Sequence, residues 1–171
     1  GPEILPTERT TPESFDLQEL LARMASAGCR YVVMEVSSHA LALDRVGGIR
    51  FQAAAFTNLT EDHLDFHKTM EAYRRAKAIL FTRCRRGIIN LDDSAAQQMI
   101  SDAGCPVLTY SARGRAADLQ AEQIALEADR VSFLAKAGEA QQEIRLGIPG
   151  GFTVYNALAA IGAATALGIF Y

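Results

Sequence analysis

The feature that most constrains this chain is an alternation of short apolar runs with helix-period stretches. Residues 31–36 (YVVMEV), 51–57, 87–90 (GIIN) and 107–110 are β-rich and apolar almost throughout. Strands covered on both faces read this way. Between them lie stretches with helical spacing and helix punctuation. Asp16, with Glu19 three residues on, is placed to cap a helix carrying Leu17, Leu20, Leu21 and Met24, and Gly28 ends it. A short helical stretch follows Ser37 and runs to about Leu43, before the Gly47-Gly48 turn. Asp92-Asp93-Ser94 opens another helix, which stops at Gly104. Strand and helix in turn predict an α/β fold with a mostly parallel sheet flanked by helices.

The pattern changes after Ser111. Val131, Phe133 and Ala135, and then Ile144, Leu146 and Ile148, alternate with polar neighbours, so one face is wet. A small antiparallel β meander over about 118–148 is expected to be appended to the α/β core. Pro149-Gly150-Gly151 breaks the chain, and a last helix from about Thr153 carries Val154, Ala157, Leu158, Ile161 and Ala164. Residues 3–171 read as one domain. Gly1-Pro2 resembles a tag-cleavage scar, and the apolar end Ile169-Phe170-Tyr171 suggests a piece cut from a longer protein.

Composition excludes several classes. Net charge is −3 with 49% hydrophobic residues, an ordinary soluble balance without the basic excess that nucleic acid demands. Arg74-Arg75 with Arg83, Arg85 and Arg86 form the only basic cluster, which reads as a solvated helix end. No apolar run nears the ~20 residues needed to span a membrane, so neither membrane nor nucleic acid is an expected partner. Three cysteines, Cys29, Cys84 and Cys105, have no metal-ligand spacing. Cys29 and Cys105 sit between a helix end and the next strand, where a small buried thiol packs well, and a reducing cytoplasm is expected.

Ligands of parallel α/β sheets bind at the carboxyl ends of strands. Two polar clusters fall there, Glu35-Val36-Ser37-Ser38-His39 and the run from Asn58 to His67. Glu35 in an apolar strand requires a cation or hydrogen-bond donors. Glu35 and His63 could ligate a divalent ion, or a hydrogen-bonded strand-end network could use them instead. His63 and His67 are four apart, but there is no HExxH around them and a structural role competes with zinc. Adjacent Ser and His at 37–39 do not make a triad, and no G-x-S-x-G is present. Lys77 is the oddest residue. Met70, Tyr73, Lys77, Leu80 and Phe81 fall on one stripe of a helix beginning near Thr69, so the lysine must snorkel, lose its charge or be chemically changed. No G-x-x-x-x-G-K-[ST] phosphate loop occurs in the 171 residues.

Five ordered motifs carry a resemblance: T-T-P-E-S at 10–14, M-E-V-S-S-H-A-L at 34–41, F-T-N-L-T-E-D-H-L-D-F-H at 56–67, Y-R-R-A-K at 73–77 and F-T-V-Y-N-A-L-A-A at 152–160. From about Thr10 to Gly168 the chain resembles the central ATP-binding domain of the Mur ligases. The nearest branch is the UDP-N-acetylmuramoyl-tripeptide synthetases, which add the third amino acid of the peptidoglycan stem. The resemblance implies that Thr10, Thr11, Ser37 and Arg45 contact UDP-MurNAc-dipeptide, and that Glu35 and His63 hold Mg²⁺ beside ATP. It implies that Lys77 is the lysine this family carbamylates, that Asn156 lies near the adenine and Asn58 near the nucleotide phosphates. The implied reaction is cytoplasmic ATP-dependent amide formation. The D-glutamate carboxylate becomes an acyl phosphate, and a diamino acid's amine displaces phosphate.

Departures temper what this stretch can do alone. The family's phosphate loop precedes the T-T-P motif and is missing, as are the UDP-binding N-terminal domain and the amino-acid-presenting C-terminal domain. Leu43 stands where some relatives carry glutamine, and Thr153 where asparagine is usual. The 171 residues alone are expected to bind neither ATP nor Mg²⁺, to leave Lys77 unmodified, and either to pair with themselves at an exposed edge or to pack apolar surface near their termini. Competing readings are another Mur ligase or a folylpolyglutamate synthase-like ligase, a non-catalytic binding module of the same fold, and a metal-dependent hydrolase using Glu35, His63 and His67.

Overall fold

The computed structural model describes Ile4, residues 10–60 and residues 64–169. The chain divides into two compact units, Gly1–Ile49 with His63–Leu80, and Arg50–Asp62 with Phe81–Tyr171.

The second unit holds a six-stranded sheet in the order β1 to β6. Its strands are β1 (Ala54–Phe56), β2 (Gly87–Asn90), β3 (Val107–Ser111), β4 (Leu119–Leu126), β5 (Val131–Ala137) and β6 (Ala140–Leu146). The first three run parallel with pairs such as Phe56 with Ile89 and Asn90 with Tyr110. β4 is the joint between the two halves. Its first two residues pair in parallel with Tyr110 and Ser111, and it then runs on as the antiparallel partner of β5. Because only two pairs are parallel, a short loop through Gly114 (φ 73°) suffices where a full parallel return needs a dozen residues or more. Asp118 pins that loop by accepting the Thr109 amide at 2.8 Å and its hydroxyl at 2.7 Å. Those two bonds hold its carboxyl below the usual carboxylate range. The expected meander is therefore continuous with the parallel sheet.

The core lies between this sheet and α6 (Gly151–Ala166). Ile88, Tyr110, Val131, Phe133, Val154 and Leu158 are fully or almost fully buried there. Val131, Phe133 and Ala135 point inward from alternate positions of β5, as the period of two requires. A Cβ on Gly162 would lie 2.8 Å from Ile88 Cγ2 and 3.3 Å from Leu108 Cδ2, so glycine at this turn sets how closely helix and sheet approach. α5 (Ala96–Asp102) packs on β2. Phe170 and Tyr171, read above as an exposed end, lie outside the described residues.

The first unit is helical: α1 (Ser14–Ser26), α2 (Ser38–Ala42), α3 (Leu64–His67) and α4 (Met70–Ala78), the last continuing as a 3₁₀ turn over Ile79–Thr82. Four expectations are corrected here. Asp16 does not cap α1. Pro12 and an extended Glu13 start the helix earlier, leaving Asp16 in the first turn, where its charge suits the dipole. Residues 31–36 form no ladder, and Val33 is 97% exposed. A strand needs a neighbour's N–H and C=O, and among the described residues none pairs with this run. Cys29 is exposed rather than buried, since the open run follows it directly. Met70 is exposed as well: Tyr73, Ala76 and Phe81 carry the buried side, and the tighter 3₁₀ winding after Ala78 shifts Leu80 off it.

Gly162→Val should lower stability by about 2 kcal/mol, because the added branches meet the β-branched Ile88. Urea unfolding followed by circular dichroism should show a lower midpoint with an unchanged slope.

Candidate functional site

In the first unit, residues far apart in sequence meet around Thr11, which is buried. Its hydroxyl donates to the Glu35 carbonyl at 3.0 Å and accepts the Ser37 amide at 3.1 Å. Arg45 Nη1 donates to the Thr11 carbonyl at 3.4 Å, and Nη2 pairs with Glu13 Oε1 at 2.9 Å. The Arg45 side chain is 12% exposed, and its Nε–H is buried with no acceptor. An orphaned donor on a buried guanidinium needs an explanation, and an anionic ligand supplies one. Ser37 caps α2 by accepting the Ala40 amide at 3.2 Å. Four of the expected residues are thus gathered: Thr11, Glu35, Ser37 and Arg45. Thr10 is exposed beside them in sequence.

Glu35 offers an exposed carboxylate, an oxygen donor of the kind hard divalent cations take. Its expected co-ligand His63 lies outside the described residues. Among the described residues no three His, Cys, Asp or Glu side chains converge as a metal site. His67 is not available as one. It is buried, its Nε2 sits 2.9 Å from Ser38 Oγ, and its ring stacks on Tyr73 at 5.2 Å. That geometry removes His67 from the hydrolase reading.

Lys77 is half-buried on α4, with Nζ 5.1 Å from the centroid of the Tyr73 ring. A cation over an aromatic face accounts for a lysine on this side of the helix. On the same helix Arg74 and Arg75 both grip Glu71, at 2.9 and 2.7 Å, and hold its carboxyl down at about 2. Two of the five arginines of the apparent basic cluster are therefore paired on their own helix.

The second unit carries Asn58 and Asn156, both exposed. The loop after β1 is tied to the loop after β2: Asn90 donates to the Thr57 carbonyl at 2.8 Å, and Asp93 accepts the Leu59 amide at 2.8 Å. Asn58 sits in that tethered loop, and Asn156 lies early in α6.

One residue was read in the sequence only as part of a helix start. Asp92, at the carboxyl end of β2, is 2% exposed and caps nothing on α5. It accepts Ser111 Oγ at 2.8 Å, the Ala112 amide at 2.8 Å and the Tyr155 hydroxyl at 3.1 Å, with Arg115 Nε 3.6 Å away. Burial and the Asp92 charge push the Tyr155 hydroxyl above its ordinary value, so it remains a donor. Tyr155 precedes Asn156, so the carboxylate fixes the turn that presents the asparagine. The signal was available: paired aspartates directly after a parallel strand stand where such sheets bind ligands.

The Mur ligase middle-domain profile matches residues 1–164. The chain belongs to the Mur ligase middle-domain family. The UDP-N-acetylmuramoyl-L-alanyl-D-glutamate–2,6-diaminopimelate ligase of Caldanaerobacter subterraneus subsp. tengcongensis is 48% identical over 170 residues, covering 99% of this chain and 35% of that protein. A ligase of the same name from Clostridium acetobutylicum is 44% identical, again over 99% and 35%. A solved structure of a ligase with that name superposes with a TM-score of 0.86 at 33% identity, covering 93% of this chain and 34% of the other. MurF of Thermotoga maritima in complex with ADP shares the fold, with a TM-score of 0.63 at 15% identity over 79% and 31% of the two chains. The chain thus spans about a third of the length of these Mur ligases. No helix of the described residues is long and apolar enough to cross a membrane.

Asp92→Ala should cost about 3 kcal/mol, because the Ser111 and Tyr155 hydroxyls and the Ala112 amide lose a buried acceptor together. In a double-mutant cycle with Tyr155→Phe the two losses should not add, and chemical denaturation of the four proteins measures it.

Proposed function

We propose that this chain is the middle portion of an ATP-dependent ligase that joins a diamino acid to UDP-MurNAc-L-Ala-D-Glu in cytoplasmic peptidoglycan synthesis. The observation that carries the reading is the gathering of Thr11, Glu35, Ser37 and Arg45 in a family whose named relatives are such ligases. Those names support 2,6-diaminopimelate as the amine. Selecting it, and cradling the ATP phosphates, falls on this reading to other parts of a longer protein.

Each residue then has a task. Thr10, Thr11, Ser37 and Arg45 hold the dipeptide substrate, with Arg45 Nε–H meeting one of its anionic groups. Asn156 reads the adenine and Asn58 lies beside the nucleotide phosphates. Glu35 and His63 would hold Mg²⁺, which neutralises charge on the phosphoryl group in transfer. Lys77 Nζ lies over the Tyr73 ring, the place a cation takes. Carbamylation would turn it into an anion suited to a site with a metal, at the expense of that contact.

In the full-length ligase, phosphate release should require ATP, UDP-MurNAc-dipeptide and diaminopimelate together. Glu35→Gln should cut kcat roughly 100-fold and raise the Mg²⁺ concentration needed for half-maximal rate. Release without the dipeptide would overturn the assignment, and no calorimetric ATP binding by the full-length protein would favour the binding-module reading. The isolated 171 residues should bind neither ATP nor Mg²⁺, and their intact mass should show no carbamate on Lys77.

The exposed run at Tyr31, Val32 and Val33, unpaired among the described residues, supports self-association of the isolated chain, since such β-rich backbone invites pairing. Light scattering should show mass rising with concentration and a weaker rise for Val33→Lys; a strict monomer at high concentration rejects it.

A further inference from the structure

Two cysteines outside the proposed ligase site meet at the other end of the sheet. Cys84 Sγ lies 3.4 Å from Cys105 Sγ although 21 positions separate them. They stand just before β2 and just before β3, at the amino ends of neighbouring parallel strands, whereas Asp92 and Asn58 follow the carboxyl ends of β2 and β1. Backbone bonds fix both flanks of the pair. The Gly104 amide donates to the Phe81 carbonyl at 3.2 Å and the Gly87 amide to the Pro106 carbonyl at 3.0 Å. Cys84 itself sits in a bridge to Phe51, held by the Phe51 amide to the Arg83 carbonyl and the Arg85 amide to the Phe51 carbonyl, both at 2.9 Å. Adjacent strands lie ~4.8 Å apart, inside the Cα separation a disulfide spans.

We propose that Cys84 and Cys105 are a modification site for hydroperoxides, closing to an intramolecular disulfide that staples the amino ends of β2 and β3. The proposal is independent of the ligase reading. The order of events follows from access. Cys84 is buried, and burial with the neighbouring Cys105 pushes its thiol up to about 12, so it does not ionise first. Cys105 is partly exposed and can reach a small peroxide. Its thiolate attacks one peroxide oxygen, the O–O bond breaks, and the second oxygen leaves as alcohol or water, giving a sulfenic acid. The Cys84 sulfur then attacks Cys105 Sγ. The S–S bond forms, the S–O bond breaks, and the departing hydroxide takes the Cys84 proton as water. Two thiols lose two electrons and one peroxide gains them. In a reducing compartment the pair rests as dithiol and closes only under oxidant. Cys29 is exposed and belongs to the other unit, which makes it an internal control.

The test treats the reduced, desalted full chain with hydrogen peroxide, blocks free thiols with N-ethylmaleimide, and maps the digest by mass spectrometry. The expected result is a monomer lighter by about 2 Da before blocking, a Cys84–Cys105 linked peptide, and reversal by dithiothreitol. Cys29→Ser should close the same link, whereas Cys105→Ser should leave Cys84 unoxidised. The closed form should melt roughly 5 °C higher than the dithiol, since it encloses β2 and α5 in a short loop. Cys105 driven to sulfinic acid with Cys84 still free, a link through Cys29, or a lower melting point on closure would each overturn the staple.

Discussion

The second unit depends on one buried carboxylate. Asp92 gathers the end of β2, the turn after β3 and the first turns of α6 through Ser111, Ala112 and Tyr155. A buried charge is costly unless its lone pairs are met, and here three donors meet them. The same bonds settle where the three segments stand relative to one another. Asp93, next in the chain, extends the arrangement by taking the Leu59 amide from the loop after β1. Adjacent aspartates thus divide the work. One points into the sheet's carboxyl edge and the other across it.

These bonds tie the polar end of the unit together while Asn58 and Asn156 stay exposed. Asn58 and Asn156 contribute nothing to the core, yet each follows a residue hydrogen-bonded to the end of β2 or the turn after it. Thr57 is held by Asn90, and Tyr155 by Asp92. A binding residue on a loop is useful when the scaffold beneath it is fixed. The core supplies that scaffold through the close approach of α6 to β2 at Gly162, a contact with no room for a side chain.

Periodicity disclosed most of the second unit. Alternation in β5 and the 3.6-residue stripe on α6 follow from hydrophobic burial, which the sequence writes directly, and the parallel strands β2 and β3 matched their apolar runs. Residues 31–36 show the limit of that reasoning. Their composition is that of a buried strand, but pairing depends on a neighbour, and composition carries no information about one. Asp92 shows another limit. Its short-range reading as a helix start was reasonable, while its partners lie 19, 20 and 63 positions away. In the first unit Thr11, Glu35, Ser37 and Arg45, which the family resemblance named together, meet through backbone and side-chain bonds. The four-residue spacing to His63 left zinc and a structural role open, and the Ser38 bond and Tyr73 stack give His67 a packing role.

Lys77 ties the two kinds of evidence together. From the sequence its place on a buried stripe offered three ways out: snorkelling, neutralisation or modification. The Tyr73 face provides a fourth, because a cation 5.1 Å from the ring centroid is stabilised without leaving the helix surface. Tyr73 is in turn stacked on His67, which is bonded to Ser38 at the start of α2. The lysine therefore rests on a chain of contacts leading to the motif that contains Glu35 and Ser37. An anionic adduct would reverse the sign of the interaction with the ring, so the unmodified amine and the carbamate favour different side-chain positions. On the proposed function, a metal at Glu35 is what would draw the modified side chain off the ring. On that proposal the contact with the ring and the carbamylated form are two states of one residue.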